Sequence, residues 1–131
     1  MLTGNLADKL VAIWRLGELA FLNKEDVILN RVASTTSSAT PTINTDICDV
    51  FKLTAQAVDI TSFTTNLSGT PKDFQTLIIS ITGTAARAIT WGASFESSTA
   101  TLPITTVTTA TLDVTLRWNV ATSKWRCVSV A

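Results

Sequence analysis

Histidine is absent from this chain of 131 residues, and its absence removes several kinds of chemistry at once. Without histidine there is no Ser-His-Asp triad, and both the usual general base and the commonest metal ligand are missing. The two cysteines, Cys48 and Cys127, are too far apart in sequence to form a zinc site of standard spacing. The five glycines are scattered, and residues 69–72 are typical of a turn rather than a phosphate-binding loop. We therefore expect no enzyme activity and no catalytic residues.

Carboxylates are also few, with ten Asp and Glu in the whole chain. Asp46 and Asp49 are three residues apart, which places them on opposite faces of a strand and argues against a glycosidase pair. A calcium site built from Asp46, Asp49 or Asp59 is a weaker alternative, because a hard cation needs several oxygen ligands together. We expect no metal and no cofactor.

Charged residues make up only 15% of the chain, and ten basic residues balance ten acidic ones. Soluble domains carry about 25% charged residues, so we expect other copies or a partner to cover part of this surface. Zero net charge provides no long-range attraction to nucleic acid or to anionic lipid. We predict neither as a partner.

The cysteines and the apolar N-terminal run each have an ordinary explanation. Neighbouring strands could bring Cys48 and Cys127 within disulfide range, but two buried free thiols are the favoured interpretation. Charged residues interrupt the N-terminal run, so it does not form a membrane span of about 20 apolar residues. It also lacks the basic leader and cleavage site of a signal peptide.

Residues 1–33 form a first unit, for which the pattern predicts a helical or extended arm. Asn5 is a candidate helix cap, and an apolar face follows it. The arm is too short for a core of its own, so its apolar side chains must be buried against the rest of the chain, other subunits or a docking surface. We favour oligomerisation and anchoring over packing on its own sheet. The predicted contact residues are Leu6, Leu10, Ile13, Trp14, Leu19, Phe21 and Leu22.

The remainder of the chain is β in character. Residues 34–42 are small and polar and end near Pro41, which predicts a linker. From residue 43 onward, short alternating segments separated by turn formers predict about seven strands. The clearest is the closing hairpin, residues 111–130, with an alternating apolar face and a polar turn. We predict a mainly β fold, an antiparallel β-sandwich or jelly-roll-like domain over residues 43–131.

Three of the four tryptophans admit two interpretations. Trp91, Trp118 and Trp125 could line a platform that binds a glycan. Aromatic residues near strand ends are more often part of the core, and we favour that explanation. Trp14 in the arm is the stronger interface candidate, because aromatic anchors dominate the energetics of association.

Residues 41–131 resemble a β domain of structural proteins from tailed bacteriophages. The likeness rests on LTAQAVDITSFTTNLSGTP, ISITGTAARAITWGASFE, LPITTV and RWNVATSKWRCVSVA, and the arm segment LGELAFLNKEDV is similar to junctions in phage fibre proteins. The resemblance implies a virion protein without enzyme activity, often trimeric, whose N-terminal part attaches it to the particle. Fibre proteins are usually far longer.

A short arm with one β domain therefore favours a homotrimeric capsid-decoration (cement) protein or small head fibre. Its expected partners are its own copies and the major capsid protein or another virion protein, and its expected location is the virion, assembled in the host cytoplasm. A tail-fibre or tail-tip module that binds a host-surface glycan is the alternative.

Overall fold

The computed structural model of the protein describes residues 30–131, which form strands and connecting segments with no helix within that range. The mainly β class predicted from the sequence is confirmed. The strands are β1 (Val32–Thr35), β2 (Ile43–Asn44), β3 (Val50–Gln56), β4 (Leu67–Ser68), β5 (Thr76–Gly83), β6 (Phe95–Glu96), β7 (Thr111–Asn119) and β8 (Lys124–Val130).

Six of these strands form one mixed sheet in the order β1-β3-β5-β7-β8-β6, while β2 and β4 form a small parallel pair. Strands β1, β3 and β5 are parallel to one another, β7 is antiparallel to both β5 and β8, and β6 is parallel to β8. The prediction of a purely antiparallel domain is therefore wrong. Alternation with a period of two identifies the two faces of a strand, but it does not encode the direction of the neighbouring strand.

The parallel connections also shape the core. Parallel strands need long crossovers, which are usually helical, yet residues 57–75 between β3 and β5 contain only the short β4. This crossover and the segment before β7 bring Ile60, Phe63, Ile89 and Trp91 into the core. An isolated parallel bridge joins Ile60 to Ile89. Irregular chain thus supplies much of the second layer of the core, and the sandwich or jelly-roll form stays a prediction.

One face of the large sheet is buried and the other is not. Alternate residues of β3, β5, β7 and β8 point into the core: Phe51, Leu53, Leu77, Ile79, Ile81, Leu112, Val114, Leu116, Trp125 and Cys127. Each large apolar side chain buried in this way contributes about 1.5–3 kcal/mol. The opposite side, which we call the open face, carries exposed or half-buried residues including Lys52, Ile78, Asp113 and Arg117. The closing hairpin predicted from the sequence is present as β7 and β8, with the predicted apolar face buried.

The boundary predicted between arm and linker falls inside β1, whose four residues are exposed and pair with β3. Following β1, the chain is held by the fully buried side chain of Gln56. Its Nε2 donates to the carbonyl oxygens of Ser38 (2.8 Å) and Val58 (2.9 Å), and Ser38 N donates to its Oε1 (3.0 Å). The polar segment predicted as a linker is therefore fastened to the sheet near residue 38.

Candidate functional site

The seven arm residues predicted to form the oligomer and capsid interface lie outside the described residues: Leu6, Leu10, Ile13, Trp14, Leu19, Phe21 and Leu22. Their role stays a prediction. The structure does describe the point at which the chain enters the β domain, immediately before β1, and the surfaces around that point.

A two-residue clamp between Arg31 and Asp49 holds the chain where it enters the domain. The Arg31 guanidinium binds the Asp49 carboxylate through Nη2–Oδ1 (2.8 Å) and Nε–Oδ2 (3.0 Å), a bidentate arrangement. The backbone N–H of Arg31 also donates to Asp49 Oδ2, and the Arg31 carbonyl accepts from the N–H groups of Asp49 and Val50. Arg31 Nη1 reaches the carbonyl of Asp46 as well. These contacts tie the residue just before β1 to the start of β3.

The clamp also sets the electrostatics of this junction. The hydrogen bonds from Arg31 lower the pKa of the Asp49 carboxyl below its ordinary value of 3.8. Conversely, the hydrogen bond to Asp49 raises the pKa of Arg31. Half of the Arg31 side chain is exposed, so solvent screens the pair. It is the only ion pair within residues 30–131.

Trp91, one of the three residues of the predicted glycan platform, belongs to the core. Its ring stacks on Phe63 with centroids 4.6 Å apart and contacts Phe95 at 5.3 Å. Its Nε1 donates to the carbonyl of Pro103 at 2.8 Å, which satisfies the indole N–H. With only 6% of its surface exposed, Trp91 offers no ring face to a ligand.

Trp118 and Trp125 are brought together. They are directly opposite each other on β7 and β8, with ring centroids 5.4 Å apart in an edge-to-face arrangement. Trp125 is buried, whereas Trp118 is half-buried at the margin of the core. Both line a pocket of about 160 Å³ together with Thr45, Leu67, Ser68, Gly69, Pro71 and Ser94. Of the predicted platform, Trp118 is thus the residue with accessible surface.

The rest of the pocket is formed by the chain around β2 and β4. Thr45 is buried and donates through Oγ1 to the carbonyl of Ser68 at 3.1 Å. Gly69 has φ +113°, and a Cβ there would collide with Thr45 Oγ1, so glycine is required. The pocket therefore combines one aromatic wall with small hydroxyl-bearing residues, a composition that suits a polar ligand with an apolar face. Its volume is smaller than the roughly 300–1,000 Å³ of typical ligand sites.

A third feature, which sequence analysis did not predict, lies on the open face, on β7 and β8. We call Phe74, Arg117 and Arg126 the arginine cluster. The guanidinium carbons of Arg117 and Arg126 lie 5.4 and 5.7 Å from the centroid of the Phe74 ring, within cation–π range. Phe74 is 58% exposed and has φ 63°, an uncommon conformation for a bulky residue. Its backbone N–H donates to the carbonyl of Trp118, which holds it against β7.

The sequence is enough to predict one part of this cluster, the pairing of Arg117 with Arg126. In a hairpin whose turn joins Asn119 to Lys124, residues 117 and 126 must be paired, and the structure pairs them. The contribution of Phe74 depends on a contact between distant parts of the chain. No local pattern indicates it.

The two cysteines are free and buried, in agreement with the favoured interpretation. Cys48 Sγ donates to the carbonyl of Val50 at 3.2 Å, and Cys127 Sγ contacts the carbonyl of Ser129 at 3.9 Å. Burial raises the pKa of both thiols. These are the properties of structural cysteines rather than of nucleophiles.

The carboxylates of the described domain mostly hold loops together. Asp46 accepts a hydrogen bond from the N–H of Thr70, and Asp59 accepts one from the N–H of Ala88. Glu96 accepts hydrogen bonds from the side chains of Asn119 and Thr122. Within residues 30–131, no three residues of the metal-binding types His, Cys, Asp and Glu are grouped as a metal site requires. The part of the chain that the structure describes contains no helix long and apolar enough to cross a membrane.

Comparisons of the chain with protein-family models, with curated proteins and with solved structures found no match.

Proposed function

We propose that this protein is a structural component of a tailed-bacteriophage virion: a homotrimeric capsid-decoration (cement) protein or small head fibre. In this proposal residues 1–33 form an arm that binds other copies and the major capsid protein or another virion protein. The β domain is a sandwich-type or jelly-roll-like unit that projects from the particle. The resemblance of residues 41–131 motivates the assignment, and the low charge of the chain supports an assembled state.

The observation that carries the attachment proposal is the Arg31–Asp49 clamp. An arm that anchors a domain needs a firm junction, since a flexible one would leave the domain free to rotate. Here five hydrogen bonds tie Arg31 to Asp49 and Val50, namely three from Arg31 to the Asp49 carboxylate and two to the Arg31 carbonyl. The chain then continues directly into β1 at the edge of the sheet. The junction thus suits a domain held in a defined orientation.

We also propose that the role is not catalytic. The chain contains no histidine. Four of the six carboxylates in residues 30–131 accept hydrogen bonds that hold the clamp or the loops: Asp46, Asp49, Asp59 and Glu96. The hydrogen bonds that these four carboxylates accept explain why they occupy their positions without a catalytic role.

The experiment that tests this proposal is a capsid-binding assay with the full chain. Phage capsids lacking the protein are mixed with the wild type or with an arm variant carrying Leu10→Asp and Trp14→Asp, and bound protein is measured after sedimentation. We expect the wild type to bind and the double variant to be lost from the capsid fraction, because charges replace apolar anchors. Arg15→Glu, which changes a charged arm residue that is not among the seven predicted contacts, is the matched control. Full binding by the double variant would contradict anchoring through the arm.

The second candidate function is recognition of a host-surface glycan in a tail-tip setting. A specific observation favours it: the half-buried Trp118 forms a wall of a pocket that is also lined by the hydroxyl-bearing residues Ser68 and Ser94. Sugars present both apolar C–H faces and hydroxyl groups, which match an aromatic wall beside hydroxyl donors and acceptors.

A glycan array tests this alternative. We expect Trp118→Ala to abolish any signal, Trp118→Phe to retain part of it, and Val120→Ala, in the exposed hairpin turn, to leave it unchanged. Unfolding curves of the variants show whether a loss of signal reflects loss of structure. A wild type that binds no glycan, or a signal insensitive to Trp118→Ala, would exclude this site.

A further inference from the structure

The open face carries opposite charges at two ends of one strand. On β7, Arg117 and Asp113 point to this face four residues apart, which corresponds to about 13 Å along a strand. Between them lies a row of weakly polar or apolar residues, in which Val50, Ile78 and Thr115 are aligned across three strands. All three are half-buried. Along β7 the face is therefore positive at Arg117, neutral in the middle and negative at Asp113, while Lys52 lies in register with Asp113 two strands away.

The positive end has no counter-charge among the residues that the structure describes. Arg117 and Arg126 are directly opposite each other on adjacent strands, an arrangement of like charges that destabilises a sheet. Neither forms an ion pair with a carboxylate in residues 30–131, and the buried Nε of Arg117 has no acceptor there. A buried donor without an acceptor costs free energy that a suitable acceptor would recover. Two guanidinium groups held on one aromatic ring favour a carboxylate, which arginine binds in bidentate fashion.

The negative end likewise forms no ion pair with another residue of the described domain. Asp113 is exposed, and Lys52, the cation aligned with it across the face, is two strands away in register. At about 4.8 Å per strand this separation is roughly 10 Å, and no ion pair joins them. Among residues 30–131, the same face thus offers both a carboxylate without a cationic partner and two arginines without a carboxylate.

We propose that the open face is a contact between copies of this chain, in which the arginine cluster of one copy binds the Asp113 carboxylate of a second copy. The inference rests on the self-association proposed above, but it does not depend on the arm or on the number of copies. If a two-fold axis through Thr115 relates two copies, their single interface contains this pair twice. In a closed ring of copies, each interface contains the pair once. The exposed Phe74 ring supplies an aromatic anchor beside the arginines, a combination typical of interface hot spots.

A second copy suits this face better than a nucleic acid does. Nucleic acid binding requires neutralisation of many phosphates and leaves no role for Asp113. The chain has zero net charge, so it exerts no long-range attraction on a polyanion. A face with both signs at fixed spacing is instead complementary to itself.

The area of the open face indicates how strongly two copies should associate. Five strands about 4.8 Å apart and about seven residues long give roughly 24 by 24 Å, or about 600 Å² for each copy. Two copies would bury about 1,200 Å², the lower limit for a specific interface. A contact of this size should depend on its charged pairs, so association should weaken as salt rises.

The experiment is a charge exchange in the full chain, with molar mass measured by size-exclusion chromatography and light scattering over a dilution series. Arg117→Asp and Asp113→Arg are made singly and together. We expect each single variant to weaken association about thirtyfold or more, because a charge then faces a like charge. The double variant should recover most of the loss, since it restores the pair in reversed order. Lys72→Asp, which makes the same change of charge in an exposed loop outside the face, should have no effect.

Each result decides the inference. Recovery in the double variant supports it, and that recovery also shows that the single variants failed through charge rather than through misfolding. An oligomer that is insensitive to all three variants overturns it while leaving the proposed self-association intact. Loss of the oligomer in the Leu10→Asp/Trp14→Asp arm variant, with no change in Arg117→Asp, likewise overturns it. A wild type that is monomeric throughout the dilution series overturns both proposals.

Discussion

Replacement of Gln56 should reveal how strongly the chain after β1 is fastened to the sheet. Gln56 is fully buried, and its amide makes three hydrogen bonds, two to Ser38 and one to Val58. A buried hydrogen bond contributes about 0.5–1.5 kcal/mol net, and its loss leaves partners unsatisfied. We therefore expect Gln56→Leu to lower the free energy of unfolding by about 2–4 kcal/mol. That is a large part of the roughly 5–15 kcal/mol of a typical domain.

Gln56→Glu adds a pH dependence that a simple loss of packing would not produce. A glutamate keeps the acceptor for Ser38 N but places a carboxylate oxygen against the carbonyls of Ser38 and Val58. Burial and these carbonyls should raise the pKa of the new carboxyl in the folded state above its unfolded value of about 4.3. The variant should therefore be least destabilised below about pH 4, and its stability should fall further as the pH rises through the folded pKa.

Urea unfolding followed by tryptophan fluorescence measures both effects, because Trp91 and Trp125 are buried in the native state. The assay is run at about pH 4 and about pH 7.5. Thr54→Val, exposed on the same strand, is the control and should change the stability by less than about 0.5 kcal/mol. The reasoning is refuted if Gln56→Leu behaves like the control, or if Gln56→Glu is equally destabilised at both pH values.

Three other predictions concern the junction, the pocket and the thiols. The Asp49 pKa is lowered on folding, so the carboxylate stabilises the protein above the ordinary value of 3.8, and this contribution is lost as the pH falls through the lowered pKa. Asp49→Asn should therefore lower the unfolding midpoint in urea at neutral pH, and the difference from wild type should shrink in acid; a difference independent of pH would contradict the clamp. Gly69→Ala should destabilise the protein by about 1–3 kcal/mol in thermal unfolding because of the positive φ, and an unchanged melting temperature would show that the turn is not strained. Cys48 and Cys127 should react with a thiol reagent at neutral pH far more slowly in the native protein than in urea, because burial raises the pKa of both; equal rates would contradict it.

The candidate surfaces differ in how far the sequence could predict them. The pairing of Trp118 with Trp125 follows from the hairpin, since residues equally distant from a turn face each other. Which tryptophan stays accessible does not follow from it, because burial depends on the segments that cover the sheet. Trp91 shows the difference: it lies before a glycine as a loop residue would, yet Phe63 and Phe95 enclose it. The arginine cluster could not be predicted as a whole, because the ring of Phe74 contacts Arg117 across a long separation in sequence.

What the sequence determined by itself was the β class, the closing hairpin and the buried face of its strands. Alternation sets which side chains of a strand share a face, and the turn sets the register, so both are local properties. The tertiary structure decided the parallel pairing of β1, β3 and β5, because backbone hydrogen bonds do not depend on side-chain identity. It also decided that β1 is a strand, since its four exposed residues have no alternation and are held by β3 and the nearby clamp. The second layer of the core could not be predicted from local patterns either. Residues of the irregular crossovers are buried only where the crossover covers the apolar face of the sheet, which is a long-range contact.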